Sequence, residues 1–142
     1  MKKSFSILLA LAMLLCCLVP SALADQKVDM IGKLVILHTN DIHGAAVTDP
    51  SVPAMGYAQI AQHKKDAELL GAGVLLLDAG DASQGQPIVN LDKGATAFKF
   101  MSATGYDAMC PGNHEFDWGV DQFLQNAETA SFPVLCANLT RT

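Results

Sequence analysis

An α/β fold with a mainly parallel sheet is the architecture this sequence predicts, and two patterns predict it. Short apolar runs recur at residues 34–37, 74–77, 108–110 and 133–137, and stretches with helical apolar spacing lie between them. Strands alternating with helices favour right-handed crossovers and parallel pairing, so the order reads β-α-β-α-β-α-β. The second pattern is chemical: the first three runs each lead into a cluster of polar side chains. In open parallel sheets, ligands bind beyond the carboxyl ends of the strands, where those clusters would meet.

The chain opens with a segment that does not belong to this fold. Lys2 and Lys3 precede an almost wholly apolar stretch at 5–19, and Ala22-Leu23-Ala24 places small residues at both key positions of a cleavage site. This predicts a secretory signal peptide at residues 1–24 and an extracytoplasmic protein (secreted, periplasmic or at the cell surface). The apolar stretch is shorter than the roughly 20 residues a membrane-spanning helix needs, so no stable span is expected after cleavage. Removing 24 of the 142 residues leaves 118, enough for one modest core. Seven basic groups then face fourteen acidic ones, a formal charge of −7, and the basic footprint of a nucleic-acid binder is missing. Of four cysteines only Cys110 and Cys136 remain, each in or beside a predicted strand. Export permits a disulfide between them, but the reading of the sequence is two buried thiols.

The remaining elements follow in order. A polar lead at 25–32 precedes the first strand, whose continuous apolarity predicts cover on both faces. A loop at 41–53, rich in Gly, Ala, Asp and Pro, leads to Tyr57, Ile60, Ala61, Ala67 and Leu70 at helical spacing, with Gln62, Lys64, Lys65 and Glu68 opposite. His63 falls on that polar side, and Gly71 and Gly73 stop the helix. After the second strand and its loop at 78–87, a second helix is expected within 91–104, with Ala95, Phe98, Met101 and Ser102 facing inward; helical spacing makes Phe98, Phe100 and Met101 core residues rather than a base-stacking platform. Gly105 ends it. The short strand at 108–110 turns at Pro111-Gly112, a third helix carries Val120, Phe123, Leu124 and Ala127, and 133–137 forms the fourth strand.

The polar clusters are His38 to Gly44, Asp78 to Asp81, and Asn113 to Asp117. Taken singly, Asp41 reads as a loop or cap residue, Asn113 as a turn residue and His114 as a surface imidazole. Jointly, Asp41, His43, Asp81, Asn113 and His114 all follow strands running the same way. Carboxylate, imidazole and amide donors suit a divalent transition metal, and the two oxygens of Asp81 allow it to bridge two ions. Two ions about 3.5–4 Å apart can bind a phosphate and stabilise an in-line displacement, so the chemistry suggested is phosphate-ester hydrolysis. His38, at the end of the first strand, reads as a residue that orients its neighbours. Trp118 either covers the site or packs beside it.

These residues carry a resemblance. Asp41-Ile42-His43, Gly80-Asp81 with Gln84-Gly85, and Gly112-Asn113-His114-Glu115 with Phe116-Asp117 are similar to the first three sequence blocks of the calcineurin-like metallophosphoesterases. The wording around them most resembles the secreted 5′-nucleotidase branch, which includes UDP-sugar hydrolases and 2′,3′-cyclic-nucleotide phosphodiesterases, and it spans 34–139. The resemblance implies two divalent metal ions, Zn, Mn or similar, and a nucleotide or related phosphate ester as substrate. It implies that Asp41 and His43 hold one ion, Asp81 bridges both, and Asn113 binds the second through its side-chain oxygen. It further implies that His114 is not a ligand but faces the phosphate and the leaving oxygen with Asp117 as its partner, while Glu115 and Phe116 shape the loop.

The sequence departs from that family in two ways. No histidine follows His114, so the later Gly-His-x-His block has no counterpart, and neither does the nucleotide-binding C-terminal domain. The expectation is that 25–142 is the N-terminal part of a longer phosphohydrolase. The alternative, of another class, is a non-catalytic, weakly metal-binding fragment. Cys110-Pro111 is also a departure, at the turn that aims Asn113.

Overall fold

The computed structural model describes residues 28–51 and 54–140, so the expected signal peptide at 1–24 lies outside the described residues. Three parallel strands stand in the order β1-β2-β3: β1 is Leu34–Thr39, β2 Gly73–Asp78 and β3 Ala108–Met109. Helix α1 (Tyr57–Leu69) connects the first two strands. A single turn, α2 (Pro87–Asn90), and then α3 (Ala95–Thr104) connect the second to the third. A one-turn 3₁₀ helix at His114–Phe116 and α4 (Val120–Glu128) complete the elements. No described helix is long and apolar enough to cross a membrane.

β1 and β2 pair along their full length, from Leu34 opposite Gly73 to Thr39 opposite Asp78. Alternate residues therefore share a face. Leu37 and Leu76 lie opposite each other on the helix side, where Leu76, Phe98 and Met101 are completely buried and Tyr57, Ile60, Tyr106, Met109, Phe123 and Phe132 close around them. Ile36 and Leu75 lie opposite each other on the other side and are 58% and 39% exposed, with Leu34 at 64%. The expectation that β1 is covered on both faces is thus corrected. All the described helices that touch the sheet serve one face, so apolarity that reads as full burial is half used.

The second helix keeps its expected place, and the fourth strand does not. The helix expected within 91–104 is found there as α3; Lys93 and Gly94, with φ of 54° and 90°, break the helical run after α2. Asp92 restarts it by accepting the N–H and hydroxyl of Thr96 at 3.1 and 2.7 Å, an Asx-type start, and Gly105 at φ 85° ends it. The fourth strand is reduced to one parallel bridge between Met109 and Val134. Pro133 has no N–H to donate, and β3 offers only two residues before Pro111 and Gly112 turn the chain away. In α4, Phe123 is buried and Ala127 packs on the core, whereas Val120 and Leu124 are exposed.

Two side-chain expectations are also corrected. Cys110 is exposed and Cys136 half-buried, both free thiols, because Cys110 falls past the end of β3, on the tip rather than in the layer. Lys64, placed on the polar side of α1, is mostly covered and donates to Gly105 O at 2.6 Å and Asp107 Oδ2 at 2.8 Å, pinning α1 to the turn before β3. His63 is exposed, as read.

Candidate metal centre

Pairing continues past the strands and draws the tips together. Ala79 donates its N–H to Thr39 O, Asp41 to Gly80 O, His43 to Asp81 O and Cys110 to Asp78 O, each at 2.9 Å. Asp41, His43 and Asp81 adopt φ of 53°, 49° and 60°, a left-handed region that costs a residue with a Cβ roughly 1–2 kcal/mol. Three of the four expected ligands therefore carry backbone strain held by these contacts. The β2 and β3 tips touch backbone to backbone. A Cβ on Gly80 would strike the Gly112 amide, and one on Gly112 would strike the Asp81 carboxylate.

The donor atoms converge at this junction. One ligand atom each from His43, Asp81 and His114 lies within 4.8 Å of the others, and Asp41 Oδ1 is 3.8 Å from His43 Nε2. The two imidazoles meet edge to face with centroids 5.2 Å apart. Asn113 begins the 3₁₀ turn one residue before His114; it is exposed, and no described hydrogen bond draws its side chain into the cluster. His38 is exposed beside Asn40 and Asp41, in the wall of a cavity of about 320 Å³ that also includes Asp41 and Ile60. Trp118 is half-buried.

The two histidines have different partners. His43 Nδ1 sits 2.9 Å from Gln84 O. A carbonyl can only accept, so Nδ1–H is the donor, and in the neutral ring this leaves the Nε2 lone pair for a cation. His114 Nδ1 instead meets Asp117 Oδ2 at 2.9 Å. The hydrogen bond to Asp117 is the main cause that raises the His114 pKa above the ordinary histidine value, with its charge and those of Asp81 and Glu115 adding to it. The donor set suits a divalent cation: His43, Asp81 and His114 each offer a ligand atom to one place, and Asp41 Oδ1 stands next to His43.

Three contacts supporting the tips had no clear signal in the sequence. Tyr106 OH and Thr39 Oγ1 are 2.8 Å apart, Thr39 donates to Asp78 Oδ2 at 2.6 Å, and Asp78 Oδ1 accepts the Gly80 N–H at 2.8 Å. Burial pushes the Asp78 carboxyl up to about 6 against the lowering effect of those two bonds. Gln84 acts through its carbonyl, which no residue type announces. Glu115, 2% exposed, accepts backbone N–H groups from the β2 tip and from Gly112.

Comparison with known proteins gives this geometry a family. A family model described as calcineurin-like phosphoesterase matches residues 34–139. The chain is 42% identical over 117 residues to a 5′-nucleotidase of Vibrio cholerae, covering 80% of this chain and 21% of that protein. It is 46% identical over 119 residues to a 5′-nucleotidase of Diplobatis ommata, covering 75% and 20%. Among solved structures, a 5′-nucleotidase precursor from Thermus thermophilus superposes with a TM-score of 0.64 at 31% identity, covering 72% of this chain and 22% of that one. The NAD nucleotidase of Haemophilus influenzae gives 0.62 at 29%, covering 72% and 20%. The chain thus spans about a fifth of the length of the curated relatives it matches. With its matched region running from the first residue of β1 to beyond the bridge at Val134, the chain belongs to the calcineurin-like phosphoesterase family.

Proposed function

We propose that this chain supplies the N-terminal ligands of an exported, dinuclear-metal phosphohydrolase of 5′-nucleotidase type, acting on nucleotide phosphate esters outside the cytoplasm. The observation that carries the reading is the pairing of His43, whose Nε2 is left free by the Gln84 carbonyl, with Asp41 and Asp81 at adjoining strand tips. Asp41 and His43 would hold one divalent ion, Asp81 both, and Asn113 the second. Bound there, the ions supply Lewis-acid polarisation of the phosphate and of water. His114, whose pKa is raised by its hydrogen bond to Asp117, would donate its Nε2 proton to the departing nucleoside oxygen. The length of the relatives supports a longer protein in which further sequence provides the remaining ligands and the nucleotide-binding domain.

The test compares two proteins. The full-length protein should hydrolyse a nucleoside 5′-monophosphate with Mn²⁺ or Zn²⁺ and lose the activity to a chelator; Asp81→Asn should cost more rate and metal than Asp41→Asn, because it weakens both ions. The 142-residue chain alone should bind metal weakly and turn over near background. Equal, mild losses in the two variants contradict the bridging role of Asp81. Strong hydrolysis by the short chain contradicts the division of ligands.

A further inference from the structure

Glu115 is buried within the site and faces no cation among its described contacts. Its Oε1 accepts the N–H of Ala82 at 2.9 Å, the N–H of Ser83 at 3.1 Å and the Ser83 hydroxyl at 3.1 Å. Its Oε2 accepts the N–H of Asp81 at 2.8 Å and of Gly112 at 2.6 Å. Three successive amides, 81 to 83, thus aim at one carboxylate. Such a concave nest forms when a left-handed residue interrupts the chain, and Asp81 has φ 60°. A buried carboxylate is tolerated only when its oxygens are satisfied, and here five donors satisfy them. The strap runs both ways. While Glu115 grips the backbone of Asp81, Asp81 Oδ1 accepts the N–H of His114, one residue before Glu115, at 2.9 Å.

We propose that Glu115 is a positioning residue: it holds Asp81 in its left-handed conformation and locks the β2 tip to the Gly112 turn, so that the Asp81 carboxylate is aimed at the centre before any cation arrives. The reading deepens the proposed function and rests on it for the metal. It makes a distinction that charge or size alone does not. A glutamine in place of Glu115 would match it in shape, but either orientation of the amide turns an NH₂ toward backbone N–H donors, at Asp81 and Gly112 or at Ala82 and Ser83.

The test uses the full chain. In the unaltered protein, the amides of Asp81, Ala82, Ser83 and Gly112 should exchange with deuterium as slowly as the ladder amides of β2, although all four lie in loops. Glu115→Gln should speed exchange at these amides, move the Asp81 Cα and Cβ chemical shifts off left-handed values, and weaken Mn²⁺ binding by about 10–100-fold, the range for residues that orient metal ligands. Binding is read at a temperature where the variant is folded. Phe98→Leu is the control; it should lower the thermal midpoint through the core and leave the Asp81 shifts and Mn²⁺ affinity unchanged. Fast exchange at the four amides in the unaltered chain overturns the proposal, and it decides the matter even if Glu115→Gln fails to fold. Unchanged Mn²⁺ affinity in a folded Glu115→Gln chain overturns it as well. If the unaltered chain binds no Mn²⁺, the metal reading fails, and the amide protection and Asp81 shifts still decide for or against the strap.

Discussion

At the carboxyl tips of the strands, polar groups find partners inside the chain; on the sheet face away from the helices, the apolar side chains of Leu34, Ile36 and Leu75 find none among the described residues. The contrast separates two sources of order. The tips are held by short hydrogen bonds between neighbouring loops, Asp41 to Gly80, His43 to Asp81, His114 to Asp81, and by the Thr39–Asp78 pair beneath them. The sheet derives its stability from apolar burial, which among the described residues lies on its helix side. A site can thus be arranged at the edge of a layer that is covered on one face.

The largest effect that sharpens this contrast is chemical. In the full-length protein, His114→Ala should leave metal content unchanged, measured by mass spectrometry, while lowering turnover about 10²–10⁴-fold. The loss should be smaller on a nitrophenyl ester, whose leaving group needs no proton. Loss of an ion would make His114 a ligand instead, and equal losses on both esters would contradict its role in leaving-group protonation.

The next effect compares the two faces directly. Leu76→Ala, on the covered face, should cost about 2–5 kcal/mol in urea unfolding. Ile36→Thr, on the bare face, should stay within about 0.5 kcal/mol, because it is exposed and keeps β-branching. Similar costs for the two would mean that something covers the outer face in solution.

The smallest effect concerns Asp78. Its folded carboxyl is pushed up to about 6, above the ordinary value near 4, so the folded chain binds more protons between those values. The stability contributed by its protonation is fully present below about pH 4 and is lost as pH rises through about 6. Between pH 7 and pH 5 this group should add about 1 kcal/mol to unfolding stability, and Asp78→Asn should flatten that part of the profile. An identical profile in the variant would put the titration elsewhere.

What could be read in the sequence divides along the same line. The strands and their tips were legible because a run such as Val74 to Leu77 ends abruptly at Asp78 and because parallel sheets present their carboxyl ends together. Asp41, His43, Asp81 and His114 follow from that, and the structure brings them to one junction. What was not legible depends on pairs distant in sequence. Nothing local marks the Gln84 carbonyl that sets His43, the Tyr106–Thr39–Asp78 chain, or the amides gathered by Glu115. The exposure of Cys110 and the loss of the fourth strand follow from how soon Pro111 turns β3. The bare sheet face left no mark either, because an apolar run looks the same whether one face is covered or both.

Whether the strand tips form a divalent-cation site is tested most directly by a Mn²⁺ titration followed through backbone amide signals. Substoichiometric Mn²⁺ should first broaden the amides of Asp41, His43, Asp81 and Asn113, while Leu34 and Val74, at the opposite end of the strands, stay sharp. Broadening that is absent from the tips, or centred on carboxylates elsewhere such as Glu68, would contradict it.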